Sequence, residues 1–362
     1  MNESHNTEHG ERNPYRVVQW ATGAMGKTCL RTVIDHPDLE LVGLYVYSDA
    51  KAGRDAGEIA RRDATGVIAT RSIDDILALD ADVVLHCPLL KFPYDAHDED
   101  VCRLLESGKS VISINNYFDP GTLGEAYAAR LSESCLRGGS TLVGTGINPG
   151  LIAERFAPLV SGMLVELDSI LCREVYDCID MPNANYVFDV MGMGARPEDV
   201  DLENGALATL FTAMYRQCVG ALAKRLELPL TAIHSDHQFT LAPRDIAARA
   251  GTIRAGTVAA TNWQIHGVID EQRVITHSVN WVMGREVPGY EHFSHWEVSV
   301  RGKPGIDIRM DLVEPENTGV KTTAVQYGIA GMVTQAIPHV VAAAPGLLTF
   351  PCAPCYTPRL AR

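Results

Sequence analysis

The chain has 362 residues, 46% of them hydrophobic and 21% charged, and a formal charge of −14. That length builds two domains with separate cores, and the acidity excludes a broad nucleic-acid or anionic-membrane surface while leaving room for a local phosphate pocket. No apolar run reaches the ~18 residues of a membrane span, and the polar opening MNESHNTEHGERNP has no secretory apolar region. Residues 1–14 therefore read as a flexible tail and the protein as cytoplasmic.

Residues 15–150 alternate strand and helix signals, as a parallel sheet flanked by helices requires. YRVVQWA is a short apolar strand. MGKTCLRTVIDH follows as a helix, with Cys29, Leu30, Val33 and Ile34 at helical spacing and Pro37 as its stop. LELVGLYVYS is a second strand ending at Ser48, SIDDILAL a short helix, and DADVVLHCP a third strand. DEDVCRLLESG has acidic residues in its first turn and Gly108 after its last, both helix signals. KSVISIN, the helix LGEAYAARLSESCLRGG and the strand STLVGTG complete this domain.

Residues 151–319 read differently. After the helix LIAERFAPLVSG come ELDSILCREVYDC, GTVAATNWQIHGVID, RVITHSVNWVM, HWEVSVRG and GIDIRMDLV, which alternate apolar and polar residues. That is the pattern of an antiparallel sheet covered on one face. The helix GALATLFTAMYRQCVGALAKRLEL interrupts it. This part is expected to be a substrate and dimerisation domain. Residues 320–350 are expected to form an apolar helix between the domains, and 351–362 a tail. The fold class is thus α/β: a Rossmann-type doubly wound parallel sheet plus an α+β domain with a largely antiparallel sheet.

The loop QWATGAMGKT, residues 19–28, nearly matches two nucleotide-binding patterns. Gly23 and Gly26 suit G-x-G-x-x-G; Gly26, Lys27 and Thr28 suit G-x-x-x-x-G-K-[ST]. Both want glycine where Ala21 stands. A triphosphate loop needs a magnesium-binding Asp at the end of a later strand, whereas DADVVLHCP ends in Cys87 and Pro88. A dinucleotide fold needs a second strand ending ~20 residues past the glycines, and LYVYS provides it. Gly23 then lets backbone approach a pyrophosphate, Gly26 lets helix and strand pack closely, and Ala21 is tolerated provided its φ is negative. An NAD site usually ends the second strand with Asp or Glu. Here Ser48 stands, with Lys51 and Arg54 near enough to neutralise a 2′-phosphate. NADP(H) is the expected cofactor, with NAD(H) as the alternative because Asp49 can take the acidic role.

Nine scattered cysteines do not make a disulfide framework in a chain this long. Cys29, Cys87, Cys102 and Cys218 read as small buried residues. Cys352 and Cys355 in PCAPC read as free thiols on a mobile tail. The pairs His234/His237 and His292/His295 lack a helix and a carboxylate pattern, so no metal is expected.

VVQWATGAMGK with LVGLYVYSDAKAGRDAGEIA resembles the N-terminal domain of dihydrodipicolinate reductase-like proteins. GTGINPG, FDVMGMG and AIPHVVAAAPGLLTF resemble 2,4-diaminopentanoate dehydrogenase and the native amine dehydrogenases. Together these motifs span residues 15–350. The resemblance implies a homodimer that interconverts amines and carbonyls through an imine with NAD(P)H. It implies that Gly23, Ala24, Met25 and Gly26 contact the pyrophosphate and that Ser48 and Lys51 sit by the adenosine ribose. Cys87 and Pro88 would line the nicotinamide ribose, and Asn148 would lie near the nicotinamide carboxamide. One departure stands out. Where those enzymes carry glutamate after the fourth strand, this chain has INNYFDP, with Asn115 and Asn116 in its place. An amide can orient a substrate but cannot accept a proton. Asp119 is a candidate substitute, or a turn residue before Pro120.

The stretch CREVYDCIDMPNANYVFD holds Glu174, Tyr176, Asp177, Asp180 and Tyr186. Tyr176 or Asp177 is the expected pocket group; a polar strand face is the alternative reading. Trp263, Trp281 and Trp296 are expected in the sheet core, with one as a candidate pocket wall. The expected function is NAD(P)H-dependent reduction of a C=N or C=O bond of a small molecule, with weak ammonia-dependent activity. A C=C reductase and a non-catalytic NADP(H) sensor are the alternatives.

Overall fold

The computed structural model describes residues 13–290, 294–316 and 322–360. The first 12 residues, most of the expected N-terminal tail, lie outside this range, as does His292. The N-terminal domain contains β1 (Tyr15–Trp20), α1 (Ala24–Asp35), β2 (Leu39–Tyr45), α2 (Ala56–Ala60), α3 (Ile73–Leu77), β3 (Val83–His86), α4 (Asp98–Glu106), β4 (Ser110–Ser113), α5 (Glu125–Gly138) and β5 (Thr141–Gly144). The second domain adds α6 (Ala157–Ser161), β6 (Glu166–Asp177), α7 (Ala206–Arg225), β7 (Ala232–Ser235), β8 (Gln238–Leu241), β9 (Ile246–Ala248), β10 (Gly251–Ile253), β11 (Val258–Ile269), β12 (Gln272–Val282), β13 (His295–Lys303) and β14 (Ile306–Asp311). α8 (Ala324–Val341) and β15 (Gly346–Leu347) return to the first.

The first sheet is parallel throughout, in the order β15-β5-β4-β3-β1-β2. Its order reverses at β1, which pairs with β2 on one side and β3 on the other. The carboxyl ends of β1 and β3 therefore flank the crevice where doubly wound sheets bind ligands. β3, β4 and β5 are buried at every position, as strands covered on both faces must be. Val18, Val84, Leu104, Leu105, Leu131 and Cys135 form the core on one face of the sheet.

The other face differs from the sequence expectation. α8 lies on the parallel sheet beside α1, not between the domains: Ala330, Val333, Ala336, Ile337 and Val340 pack with Val17, Cys29, Val83, Leu85 and Ile112. Only its first turns, through Val325 and Ile329, reach the core of the second domain. The alanines on its buried face allow the close approach. β15 then adds a sixth strand by pairing with Thr141 and Leu142. β2 stops at Tyr45, three residues before the expected Ser48, and the backbone there turns to bridge Thr70.

The second sheet runs β14-β13-β6-β12-β11-β7, with β8 also on β11. All of its pairs are antiparallel except β6 with β12. α7 covers one face, where Phe211 meets Trp263 at 4.6 Å and the edge of Trp281 at 5.0 Å between ring centres. The expected C-terminal tail is packed as far as Tyr356, whose N–H donates to Ser161 Oγ at 3.1 Å. The Cys352 and Cys355 thiols face the carbonyls of Arg155 and Arg225. Among the described residues no helix is long and apolar enough to cross a membrane.

Candidate active site

The loop after β1 departs from one expectation. Ala21 has φ +73°, the left-handed region, where a Cβ is unfavourable. The conformation is held from several sides. Ala21 N–H donates to Tyr45 O at 2.9 Å, and the buried Gln19 Nε2 donates to Ala21 O at 3.0 Å. A Cβ on Gly26 would run into that same Ala21 oxygen, so Gly26 serves the close strand–helix packing expected of it. Gly23 differs: a Cβ there meets no protein atom within 4 Å. Gly23 and Ala24 are exposed, Met25 half-buried and Gly26 buried. α1 has neither a side-chain cap nor an acidic residue in its first turn. Its amide donors and positive dipole end are left for an anion, and the open side of Gly23 admits one.

Around the end of β2 the charges pair in ways the sequence did not reveal. Lys51 Nζ donates to Thr22 O at 3.0 Å and to Thr22 Oγ1 at 2.9 Å, so it braces the glycine loop. Burial, then the neighbouring Lys27 and Arg54, lower its pKa. Arg54 pairs with Glu58 at 2.6 Å. Asp49 pairs with Arg71, a residue sequence reading did not consider because it lies on a separate turn before α3. Ser48 is exposed beside them. Trp20 stacks on Tyr45 at 3.8 Å, and its Nε1–H donates to Tyr47 Oη at 2.9 Å.

Cys87 and Pro88 follow β3 at the carboxyl edge of the parallel sheet and are buried. Cys87 Sγ is 3.9 Å from Cys29 Sγ on α1. The loop after β4 is tied to this segment by its two asparagines. Asn115 Nδ2 donates to Pro88 O at 2.7 Å, and the fully buried Asn116 Nδ2 donates to Tyr94 O at 2.9 Å. These amides hold main chain through Nδ2, while the buried Oδ1 of Asn116 has no partner. Asp119 is also committed: Lys224 Nζ reaches both its oxygens, at 2.7 and 2.8 Å, and Thr122 Oγ1 donates to it.

On β6 the expected pocket groups divide. Asp177 accepts the Ile179 N–H at 3.0 Å and so stabilises the turn after the strand, and burial raises its pKa. Tyr176 is half-buried, and burial pushes its hydroxyl up to about 12. The group sequence reading passed over is Glu174. It is 8% exposed and sits on the strand face shared by Ile170 and Cys172. The signal was a carboxylate at an inward position of an otherwise apolar alternation. Glu174 Oε2 accepts Trp296 Nε1–H at 2.7 Å and Asn148 Nδ2–H at 3.1 Å. Burial raises its pKa against the pull of these donors and of the Trp281 indole.

Asn148 stands in the loop after β5, so its bond to Glu174 joins the carboxyl edge of the parallel sheet to the second sheet. Its Oδ1 is buried and has no partner. A buried acceptor left open in this way suits a donor supplied by a ligand, such as a carboxamide NH2. The open Gly23, the uncapped α1 and the unpaired Asn148 Oδ1 together fit a nicotinamide dinucleotide. His237 Nε2 pairs with Thr212 Oγ1 at 2.7 Å and His295 Nε2 with Glu297 at 3.0 Å. Among the described residues no three His, Cys, Asp or Glu side chains gather as a metal site.

Comparison with known proteins agrees with this geometry. Residues 17–87 match the family model "Dihydrodipicolinate reductase, N-terminus". The chain is 27% identical to an amine dehydrogenase of Streptomyces virginiae, over 91% of this chain and 94% of the relative. It is 26% identical to the 2,4-diaminopentanoate dehydrogenase of Acetoanaerobium sticklandii, over 92% of each. Its fold matches the structure of an amine dehydrogenase from Mycobacterium smegmatis with a TM-score of 0.73 at 19% identity, over 92% of this chain and 94% of that one. The chain is an NAD(P)-dependent oxidoreductase, similar along nearly its whole length to these dehydrogenases and, at its N-terminus, to dihydrodipicolinate reductase.

Proposed function

We propose that this enzyme reduces a C=N or C=O bond of a small molecule, prefers NADPH to NADH, and depends only weakly on free ammonia. The observation that carries the reading is the Asn148 bridge. It sets an open acceptor beside the dinucleotide crevice and a donor on the buried carboxylate of Glu174. The bound cofactor supplies the hydride. The chain's own task is to bind, orient and manage a proton. The α1 N-terminus with Gly23, Ala24 and Met25 holds the pyrophosphate, Asn148 Oδ1 orients the carboxamide, and Cys87 and Pro88 floor the crevice.

The NADPH preference rests on Ser48, which is no acceptor of two ribose hydroxyls as a carboxylate would be, and on Arg71 nearby. The weak ammonia dependence rests on the loop after β4. Building an imine from ammonia needs a base that moves protons through a carbinolamine. Asn115 and Asn116 cannot accept one, and Asp119 is locked by Lys224. A preformed imine or carbonyl does not make that demand. The test is NADPH consumption with ketones, aldehydes and cyclic imines, with and without ammonium. Strong ammonium-dependent turnover overturns the reading.

A further inference from the structure

Reduction of a carbonyl or neutral imine adds a hydride to carbon, and the π pair moves to the heteroatom, which must take a proton. Three other carboxylates have partners of their own: Asp119 is ion-paired with Lys224, Asp177 accepts the Ile179 N–H, and Glu154 Oε2 accepts the Gly150 N–H at 3.0 Å while its buried Oε1 stays open. What sets Glu174 apart is its bond to Asn148. Among the described residues no cation lies within hydrogen-bond reach of Glu174. Its partners are the neutral Asn148 amide and the Trp296 indole. The titratable groups that sense it are Tyr176 and Cys178 on β6 or just past it, Tyr186 on the turn Tyr186–Val190, and Tyr215 on α7. Burial drives each of them upward, so all are neutral at pH 7, and no ion pair fixes the carboxylate in its charged form.

We propose that Glu174 is the catalytic acid of this enzyme, giving its carboxyl proton to the substrate heteroatom, with Asn148 as the positioning residue that ties it to the cofactor. This rests on the reductase reading above. In the forward direction the carboxyl O–H breaks, the heteroatom–H bond forms, and the carboxylate left behind keeps the Trp296 and Asn148 hydrogen bonds. Solvent reprotonates it between turnovers. In the reverse direction Glu174 takes the proton back. Burial in the second domain's core raises the pKa of this carboxyl, the direction a proton donor needs, and the bond to Asn148 ties it to the crevice.

The experiment compares wild type, Glu174→Gln and Glu174→Asp. Each is checked for thermal stability and for NADPH affinity by fluorescence. Infrared difference spectra against pH read the protonated carboxyl stretch without any turnover. Wild type is expected to show a protonated carboxyl band that disappears with rising pH and is missing in Glu174→Gln. That variant should bind NADPH within ~3-fold of wild type, lose kcat by on the order of 10²-fold, and lose the limb of the pH profile that falls at high pH. Glu174→Asp should restore part of kcat and the limb. A folded Glu174→Gln with unchanged kcat and the same pH limb overturns the assignment while leaving the reductase reading intact. So does an infrared spectrum without the Glu174 band. Wild type that reduces no carbonyl or imine contradicts the reductase reading itself and removes the assignment with it.

Discussion

Asn148 Nδ2 donates to Glu174 Oε2 at 3.1 Å, a hydrogen bond that crosses from the loop after β5 to the C-terminal part of β6. It places a buried carboxyl where the two sheets meet, and that burial has a consequence for stability. The folded-state pKa of Glu174 is raised. Its contribution to stability is therefore fully present below the unfolded glutamate value of ~4.3 and is lost as pH rises through the raised folded value. Glu174→Gln removes this titration. Measured by thermal melts from pH 4 upward, the stability of the variant should rise relative to wild type with increasing pH and then level off. A difference that does not change with pH contradicts a raised pKa.

The glycine loop gives opposite outcomes at adjacent positions. A side chain at Gly23 meets no protein atom, so Gly23→Val should fold normally and lose dinucleotide binding. Ala21 is held at φ +73°, so Ala21→Gly should stabilise the protein by about 1 kcal/mol. Chemical denaturation and cofactor titration separate the two. Lys27→Ala should leave binding unchanged. Weakened binding in that variant, or binding of ATP by the wild type, would favour a triphosphate loop.

Lys51 and Arg71 should divide cofactor affinity between them. Because Lys51 braces Thr22, Lys51→Ala should weaken NADH and NADPH alike. Arg71 pairs with the exposed Asp49, which a 2′-phosphate can displace. Arg71→Ala should weaken NADPH by ~1.5–3 kcal/mol, the range of a charge-assisted hydrogen bond, and leave NADH nearly unchanged. Fluorescence titration of both cofactors decides it; equal losses for the two cofactors in Arg71→Ala would remove Arg71 from the 2′-phosphate site.

The loop after β4 allows a gain of function. Asn115→Glu or Asn116→Glu puts a carboxylate where the resemblance to the amine dehydrogenases implies one. Asn115 is half-buried and Asn116 fully buried, so Asn115→Glu is the better tolerated of the two. Its ammonium-dependent turnover at alkaline pH should rise on the order of 10²-fold over wild type. No gain in a folded variant means the loop does not face the reacting carbon.

Much of this was legible in the chain, and the rest was hidden for identifiable reasons. The alternation of short apolar strands with helices gave the parallel sheet, and the period-two segments gave the second sheet. Local pattern could not place α8, because an apolar alanine-rich helix suits either a domain junction or the face of a sheet; the partners that chose the sheet are far away in sequence. Ala21 was expected at negative φ because alanine disfavours the alternative. Tertiary hydrogen bonds from Gln19 and to Tyr45 overrode that preference. Asn115, Asn116 and Asp177 also carry main-chain hydrogen bonds that no local pattern announced. Glu174 was visible as a carboxylate out of step with its strand, but its partners Asn148 and Trp296 are 26 and 122 residues away.

The most direct measurement of the central claim follows deuterium from C4 of labelled NADPH into product. Aldehydes, ketones and cyclic imines are offered with and without ammonium, and products are read by mass spectrometry. The account predicts one deuterium on the former carbonyl or imine carbon, formed at rates that ammonium changes little. NADPH that stays unoxidised with every acceptor, or label that appears only when ammonium is present, would contradict it.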